Sequence, residues 1–286
     1  MGDIRPLCGS RPIVKHDIQS VKDASNRNGI GMEIEKRDLM DGLLRGLAVV
    51  EAFSEAQKRL TPADAAEIVG ISRAAARRCL LTLVSGGYAS YDGKFFSLTP
   101  KSLDLGRAYL AMTPLANALQ PYTKTISAQF NEPCTAAILD GTDVIYIARA
   151  QPGRVMTMNL GVGARLPAYC TSLGRAILAY QPQEWLEWFW STAALEKRTP
   201  NTLIDRSAIE AELAQVRQKG FALVDQEVEV GLRSIAVPLW GMDGTVRASL
   251  TVTTALQTIS AQQMEDQILP ELLRVQRAVR HLDDLA

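Results

Sequence analysis

The chain has 286 residues, 47% hydrophobic and 22% charged, with 31 basic side chains balanced by 31 acidic ones. That describes about two globular domains rather than a fibrous or low-complexity chain, and no apolar run approaches the roughly 18 to 20 residues that span a bilayer, so a cytoplasmic protein without a membrane partner is expected. Cys8, Cys79, Cys134 and Cys170 are far apart and only His16 and His281 accompany them, which gives neither a disulfide framework nor a metal site, and no cofactor is expected.

Residues 1 to 36 mix Gly, Pro, Ser, Asn and charges without periodicity and read as a flexible tail, in which Met1 and Met32 are both candidates for the natural start. From Leu39 apolar positions recur at helical spacing, and Leu43, Leu44, Leu47, Val50, Ala52 and Phe53 are expected to form the buried face of a first helix. Thr61, Pro62 and Asp64 spell a helix start, with the threonine hydroxyl capping free backbone N–H groups. The second helix runs through Ala65, Ala66, Ile68 and Val69 to Gly70, and Ser72 caps a third. Two short helices joined by a glycine-containing turn predict a helix-turn-helix.

In the third helix Ala76, Leu80, Leu83 and Val84 form the inward stripe, which leaves Arg73, Ala74, Arg77 and Arg78 outside. A small, basic face suits a major groove about 12 Å wide, where guanidinium groups reach guanine O6 and N7 or phosphate. Beyond Gly86-Gly87, residues 88–90 and 95–98 flank an Asp92-Gly93 turn as a two-stranded wing, with Lys94 at its tip. Between residues 70 and 101, Arg73, Arg77, Arg78, Lys94 and Lys101 face only Asp92. This excess is the footprint expected for a polyanion, against the plainer reading of a solvated surface. Thr61, Ser72, Arg73, Ala74, Arg77, Arg78 and Lys94 are therefore the candidate contacts to double-stranded operator DNA. Residues 102–111 read as a connector helix closed by Pro114, with Leu103, Leu105 and Tyr109 expected to pair two subunits.

Helical spacing continues over 115–130. A hairpin is expected from strands 134–139 and 144–148 around Asp140-Gly141-Thr142-Asp143, with further strands at 155–160, 221–224, 234–240 and 246–254. Helices at 172–180, 183–190, 206–218 and 261–282 would cover the resulting antiparallel sheet. The fold class is thus α+β. Its expected divisions are the tail (1–36), a winged helix-turn-helix domain (37–100), the connector (101–113) and a sheet domain (114–286). On the last strand Arg247, Ser249, Thr251 and Thr253 share one face, which could meet either solvent or a ligand.

From about Leu43 onward the chain resembles the IclR family of bacterial regulators. LLRGLAVVEAF and LTPADAAEIVGISRAAARRCLLTLVSGGY look like its winged helix-turn-helix, and RLPAYCTSLGRAILA (165–179) and GFALVDQEVEVGLRSIAVPL (220–239) resemble the two signature stretches of its effector domain. The stretch RVMTMNLGVGARLPAYCTSLGRAILA is most similar to the branch regulating protocatechuate and 4-hydroxybenzoate breakdown, whose members are largely activators. The resemblance implies a GAF-like effector domain, a homodimer or tetramer, an approach to RNA polymerase and a small aromatic carboxylate as effector. It carries effector contacts onto Val155, Met158, Leu166, Ser172, Leu173, Val224, Leu232, Ser234, Thr251 and Thr253. Val224 stands where a relative has an acid and Ser234 where it has a thiol, so a less acidic pocket is expected. For the effector carboxylate, the helix start at Thr171-Ser172, Arg149 and Arg154 all remain candidates. A repressor responding to a non-aromatic acid, and a regulator controlled by a protein partner, stay open.

Other patterns have plainer readings. Asp225, Glu227 and Glu229 alternate and would share a strand face, as a metal site or, with no histidine nearby, as an exposed acidic edge. Cys170 reads as a buried small residue and Gly161-Val162-Gly163 as a turn. Trp185, Trp188, Phe189 and Trp190 read as helix packing. An enzyme acting on a small acid is the rival class, but no nucleophile-base pair, metal cluster or phosphate loop emerges.

Overall fold

The computed structural model describes residues 36–54, 57–111, 114–152 and 160–280. Nearly all of the expected tail, the strand expected from Val155, and Val155, Met158 and Arg154 themselves lie outside the described residues, as does Leu282. The chain divides into two compact units, Met1–Tyr109 and Leu110–Ala286.

In the first unit α1 (Asp41–Glu51), α2 (Pro62–Val69) and α3 (Arg73–Ser85) surround a core of Val49, Leu60, Ala65, Ala76, Leu80 and Phe96. Gly70 ends α2 at φ 72°, a left-handed conformation that costs other residues strain. The first helix departs from expectation. Ala48, Val49 and Ala52 are buried, whereas Leu43 and Leu47 are 59% and 44% exposed. The helix is apolar on two sides, and the side with small residues is the one that allows close approach to α3. The wing pairs β1 (Ala89–Tyr91) with β2 (Phe96–Leu98), and Leu60 adds a bridge to Phe96. Its turn is centred one residue later than expected, on Gly93 and Lys94, because Asp92 Oδ1 accepts the N–H groups of Lys94 (2.9 Å) and Phe95 (2.7 Å). A 3₁₀ turn (Pro100–Ser102) then leads into α4 (Leu103–Ala111).

The second unit is built on six antiparallel strands. They are β3 (Cys134–Asp140), β4 (Asp143–Ala150), β5 (Arg165–Pro167), β6 (Ala222–Asp225), β7 (Leu232–Trp240) and β8 (Val246–Ala255), in the order β5-β4-β3-β8-β7-β6. The short β5 was not foreseen; Pro167 and three residues of length leave no alternation to read. One face of the sheet packs Ile235, Val237, Leu250 and Val252 against α5 (Pro114–Phe130) and α10 (Leu269–Val279). The last helix is not uniform: α9 (Ala261–Gln263) passes through a π-helical turn (Met264–Ile268) into α10. Pro270 has no N–H to offer the carbonyl of Asp266, which removes one regular helical bond at that place.

The opposite face carries Ala137, Ala222 and Ala236 beneath α6 (Ser172–Leu178), with α7 (Gln183–Thr192) and α8 (Arg206–Lys219) completing that layer. At Gly174 an added Cβ would lie 2.1 Å from the Ala168 carbonyl oxygen, so only glycine lets α6 lie this close to the preceding turn. The aromatic residues of α7 join this layer: Phe189 is fully buried, and Trp185, Trp188 and Trp190 are half-buried around it. Cys170 is buried, and loss of solvation pushes its thiol up to about 12. Val162 and Gly163 form a turn.

Candidate functional site

Two surfaces gather the residues that sequence reasoning singled out. The first is the outside of α3. Thr61 and Asp64 form a reciprocal cap at the start of α2. The Thr61 N–H donates to Asp64 Oδ2 at 2.8 Å, and Thr61 Oγ1 accepts the Asp64 N–H at 3.3 Å. Ser72 Oγ accepts the Ala75 N–H at 3.2 Å and starts α3. Both hydroxyls thus fix the helices that present the neighbouring side chains. With Ala76 and Leu80 fully buried beneath, Arg73, Ala74, Arg77 and Arg78 stand exposed, and none of the three arginines has an ion-pair partner among the described residues.

On the wing, the Lys94 ammonium lies 5.0 Å and the Arg59 guanidinium 4.7 Å from the centre of the Phe95 ring. Arg59, which sequence reasoning missed, pairs with Asp92 and so neutralises the acid that sits beside Lys94. Lys101 belongs elsewhere: it donates to the Gly86 carbonyl at 2.8 Å, closing the end of α3.

The second surface is a cavity whose empty space, counting its open mouth, is about 660 Å³. Eight of the ten expected effector contacts line it: Leu166 from β5, Ser172 and Leu173 from α6, Val224 from β6, Leu232 and Ser234 from β7, and Thr251 and Thr253 from β8. Sheet register explains the convergence. Arg149, Thr135, Thr251, Ala236 and Ala222 are successive cross-strand neighbours, and Thr253, Ser234 and Val224 form the next row. The face with hydroxyls is therefore covered rather than solvated.

Small side chains leave room there, and α6 closes it. Thr251 Oγ1 lies 2.7 Å from the Ile235 carbonyl and 3.1 Å from Ser172 Oγ. Because Thr251 has one hydroxyl proton and gives it to the carbonyl, Ser172 donates to Thr251 and keeps its own lone pairs.

Arg149 supplies the charge. Its Nη1 donates to Thr135 Oγ1 at 2.9 Å and its Nη2 to Gln151 Oε1 at 3.3 Å, while its buried Nε has no partner among the described residues, nor does any carboxylate there pair with it. Burial disfavours its charged form, and the nearby Tyr146, whose phenol burial pushes up to about 12, stays protonated. The helix start at Thr171 is less available, since Thr171 Oγ1 already accepts the Gly174 N–H at 3.0 Å.

Glu227 and Glu229 both line the cavity beside Val224 and Ser234. They also share no strand face with Asp225: β6 stops there, and Gln226 turns the chain at φ 60°. Glu227 is only 6% exposed and forms a double hydrogen-bonded pair with Arg175, itself 1% exposed, at 2.6 and 2.7 Å. Glu227 Oε2 also accepts the Leu203 N–H at 3.0 Å, and Asp225 pairs with Arg233 at 2.6 Å. Among the described residues no cluster of His, Cys, Asp or Glu could hold a metal. A lone arginine within the apolar run SLGRAIL was the signal for this ion pair, since a buried guanidinium requires a carboxylate.

Known proteins match both parts of the chain. The family model "IclR helix-turn-helix domain" matches residues 42–93, and "Bacterial transcriptional regulator IclR C-terminal" matches residues 107–281. The Pca regulon regulatory protein of Pseudomonas putida is 46% identical over 85% of this chain and 84% of its own. The p-hydroxybenzoate hydroxylase transcriptional activator of Acinetobacter baylyi is 34% identical over 87% of this chain and 94% of its own. Among solved structures, the inducer-binding domain of the PobR transcription factor from Acinetobacter, a double mutant in complex with 3-hydroxybenzoic acid, superposes with a TM-score of 0.55 at 30% identity, covering 59% of this chain and 98% of its own. This chain belongs to the IclR family of bacterial transcriptional regulators, and its work is the control of transcription rather than catalysis.

Proposed function

We propose that the chain activates genes of aromatic-acid breakdown when a small aromatic carboxylate occupies the cavity of the second unit. The observation that carries this reading is the Arg149 guanidinium, without a carboxylate partner among the described residues, in a wall whose other charged residues, Glu227, Glu229 and Arg233, stand among aliphatic chains, hydroxyls and the Tyr146 ring. A flat ring suits the space between α6 and the strands, and a carboxylate suits the guanidinium. Activation and the aromatic class are supported by the relatives, one called an activator and another solved with 3-hydroxybenzoic acid. Effector contacts are Leu166, Ser172, Leu173, Val224, Leu232, Ser234, Thr251 and Thr253, with Arg149 holding the acid.

The α3 face reads operator DNA in the cytoplasm: Arg73, Ala74, Arg77 and Arg78 meet base edges or phosphate, and Lys94 meets phosphate beside the groove. Exposed Met40, Leu43 and Leu47 on one side of the first unit, and Leu103 and Leu105 on α4, support assembly into a homodimer or tetramer, the form in which RNA polymerase would be met. Light scattering at micromolar concentration checks this, and a monomer mass removes it.

The test of the effector reading is thermal unfolding of the full chain in the presence of benzoate-type acids. A ligand that binds only the folded state raises the midpoint; no rise with any of them removes the aromatic reading. For DNA, Arg77→Ala is expected to weaken operator binding by about 1 to 3 kcal/mol without altering the melting temperature, and unchanged affinity in both it and Arg73→Ala removes the groove assignment.

A further inference from the structure

Three residues that line the cavity each carry a buried polar atom whose hydrogen-bonding capacity the described residues leave open, two donors and one acceptor. Arg149 Nε is a buried donor without a partner, and Glu229 Oε2 is a buried acceptor without one. Arg233 Nε is a second such donor, although Arg233 Nη2 is paired with Asp225, and Glu227 is paired with Arg175. An ionised carboxylate only accepts hydrogen bonds, so what completes Glu229 must donate one.

The backbone around Glu229 is fixed on both sides. Two residues before it, Glu227 is held by Arg175 and its carbonyl accepts the Thr202 hydroxyl at 2.6 Å. Two residues after it, the Gly231 N–H donates to Gln226 Oε1 at 3.2 Å, and the Glu229 carbonyl accepts the Leu232 N–H at 3.3 Å. Glu229 thus lines the cavity on a loop pinned at both ends.

We infer that Glu229 determines which aromatic acids this cavity accepts, by taking a hydrogen bond from a ring hydroxyl of a hydroxybenzoate whose carboxylate is held by Arg149. The inference rests on the aromatic-acid reading of the cavity and adds to it the class of ring substituent. A plain benzoate satisfies Arg149 and leaves Glu229 dehydrated and unpaired. A methoxybenzoate brings an oxygen without a proton, which faces the carboxylate lone pairs. A phenolic O–H forms a charge-assisted bond there.

Isothermal titration of the full chain decides it, with benzoate, 3-hydroxybenzoate, 4-hydroxybenzoate, 3,4-dihydroxybenzoate and their methyl ethers as probes. The unaltered chain should bind at least one hydroxybenzoate about ten- to a hundredfold more tightly than benzoate and than the matching methyl ether. In Glu229→Leu that preference should fall to about threefold or less while benzoate affinity is kept or raised, because the partner of the hydroxyl is gone. Glu229→Gln, which is nearly isosteric and retains one acceptor oxygen, should fall between and serves where the leucine variant does not fold.

A hydroxyl preference that survives in both variants, or the absence of any preference in the unaltered chain, overturns the role of Glu229 and leaves the aromatic-acid reading standing. Failure of every benzoate to bind the unaltered chain overturns both.

Discussion

Ser249 and Leu250 are neighbours on β8, both wholly buried, and yet the sheet puts them into different chemistry. Leu250 faces α5 and α10, where branched side chains from the central strands and the two helices fill the space. Ser249 faces the α6 side, where Ala, Ser and Thr line the strands and the volume they do not occupy becomes part of the cavity layer. One face maximises apolar contact and holds the domain together. The other gives up contact for polar groups and room. The difference shows that the strand period alone does not make a core: side-chain size on each face decides whether the covering helix seals or encloses.

The largest effect that would test this contrast lies in the ion pair that ties α6 to the loop after β6. Removing one partner, as in Arg175→Met or Glu227→Leu, leaves the other charge buried, and should cost about 3 to 5 kcal/mol in urea unfolding without ligand. The double variant should recover much of that loss. Additive costs would mean that the pair is not what positions the loop.

Next comes the pair of neighbours themselves. Leu250→Ala should destabilise by about 2 to 5 kcal/mol, since it opens a hole in a packed face. Ser249→Ala should be close to neutral, because Ser249 Oγ has no hydrogen-bond partner among the described residues and its removal leaves nothing unmade. Equal costs at the two positions would erase the distinction between a sealing and an enclosing face. A third variant sharpens the contrast from the binding side. Arg149→Met should change stability by about 1 kcal/mol or less, yet weaken benzoate binding by about ten- to a hundredfold in calorimetry. Retained affinity would transfer the acid-holding role elsewhere in the wall.

What could be read from the sequence follows the same division. Helix starts at Thr61 and Ser72 and the exposed arginines of α3 depend on residues within one or two turns of each other, so spacing alone reveals them. The eight effector positions came instead from likeness to a family, because they lie on five strands and helices between Leu166 and Thr253 and meet only through sheet register. Glu227 and Glu229 escaped for a related reason: their alternation reads as strand, while the positive φ of Gln226 breaks that strand and sends the Glu227 carboxylate to Arg175 and Glu229 to the cavity wall. On α1 two apolar sides competed, and the sizes of Ala48 and Val49 relative to Leu43 and Leu47 decided between them. That decision depends on how closely α3 approaches, which periodicity does not encode.

The smallest effect concerns the first unit, where structure depends on a local cap rather than on a sheet face. The Thr61 N–H and hydroxyl hold the Asp64 carboxyl below its ordinary value of 3.8, the backbone bond being the larger cause. A carboxyl whose folded value is depressed contributes stability that is fully present above the unfolded value and fades as pH falls through the folded one. The stability difference between the unaltered chain and Asp64→Asn should therefore be flat from neutral pH down to about 5 and shrink below about 4. Thr61→Ala, which removes the hydroxyl half of the cap, should cost about 1 kcal/mol at neutral pH and reduce the acid sensitivity only in part, since the Thr61 N–H still reaches Asp64. If Thr61→Ala abolished the acid dependence entirely, the hydroxyl rather than the backbone would be what holds Asp64 ionised, and the order of the two causes would have to be reversed.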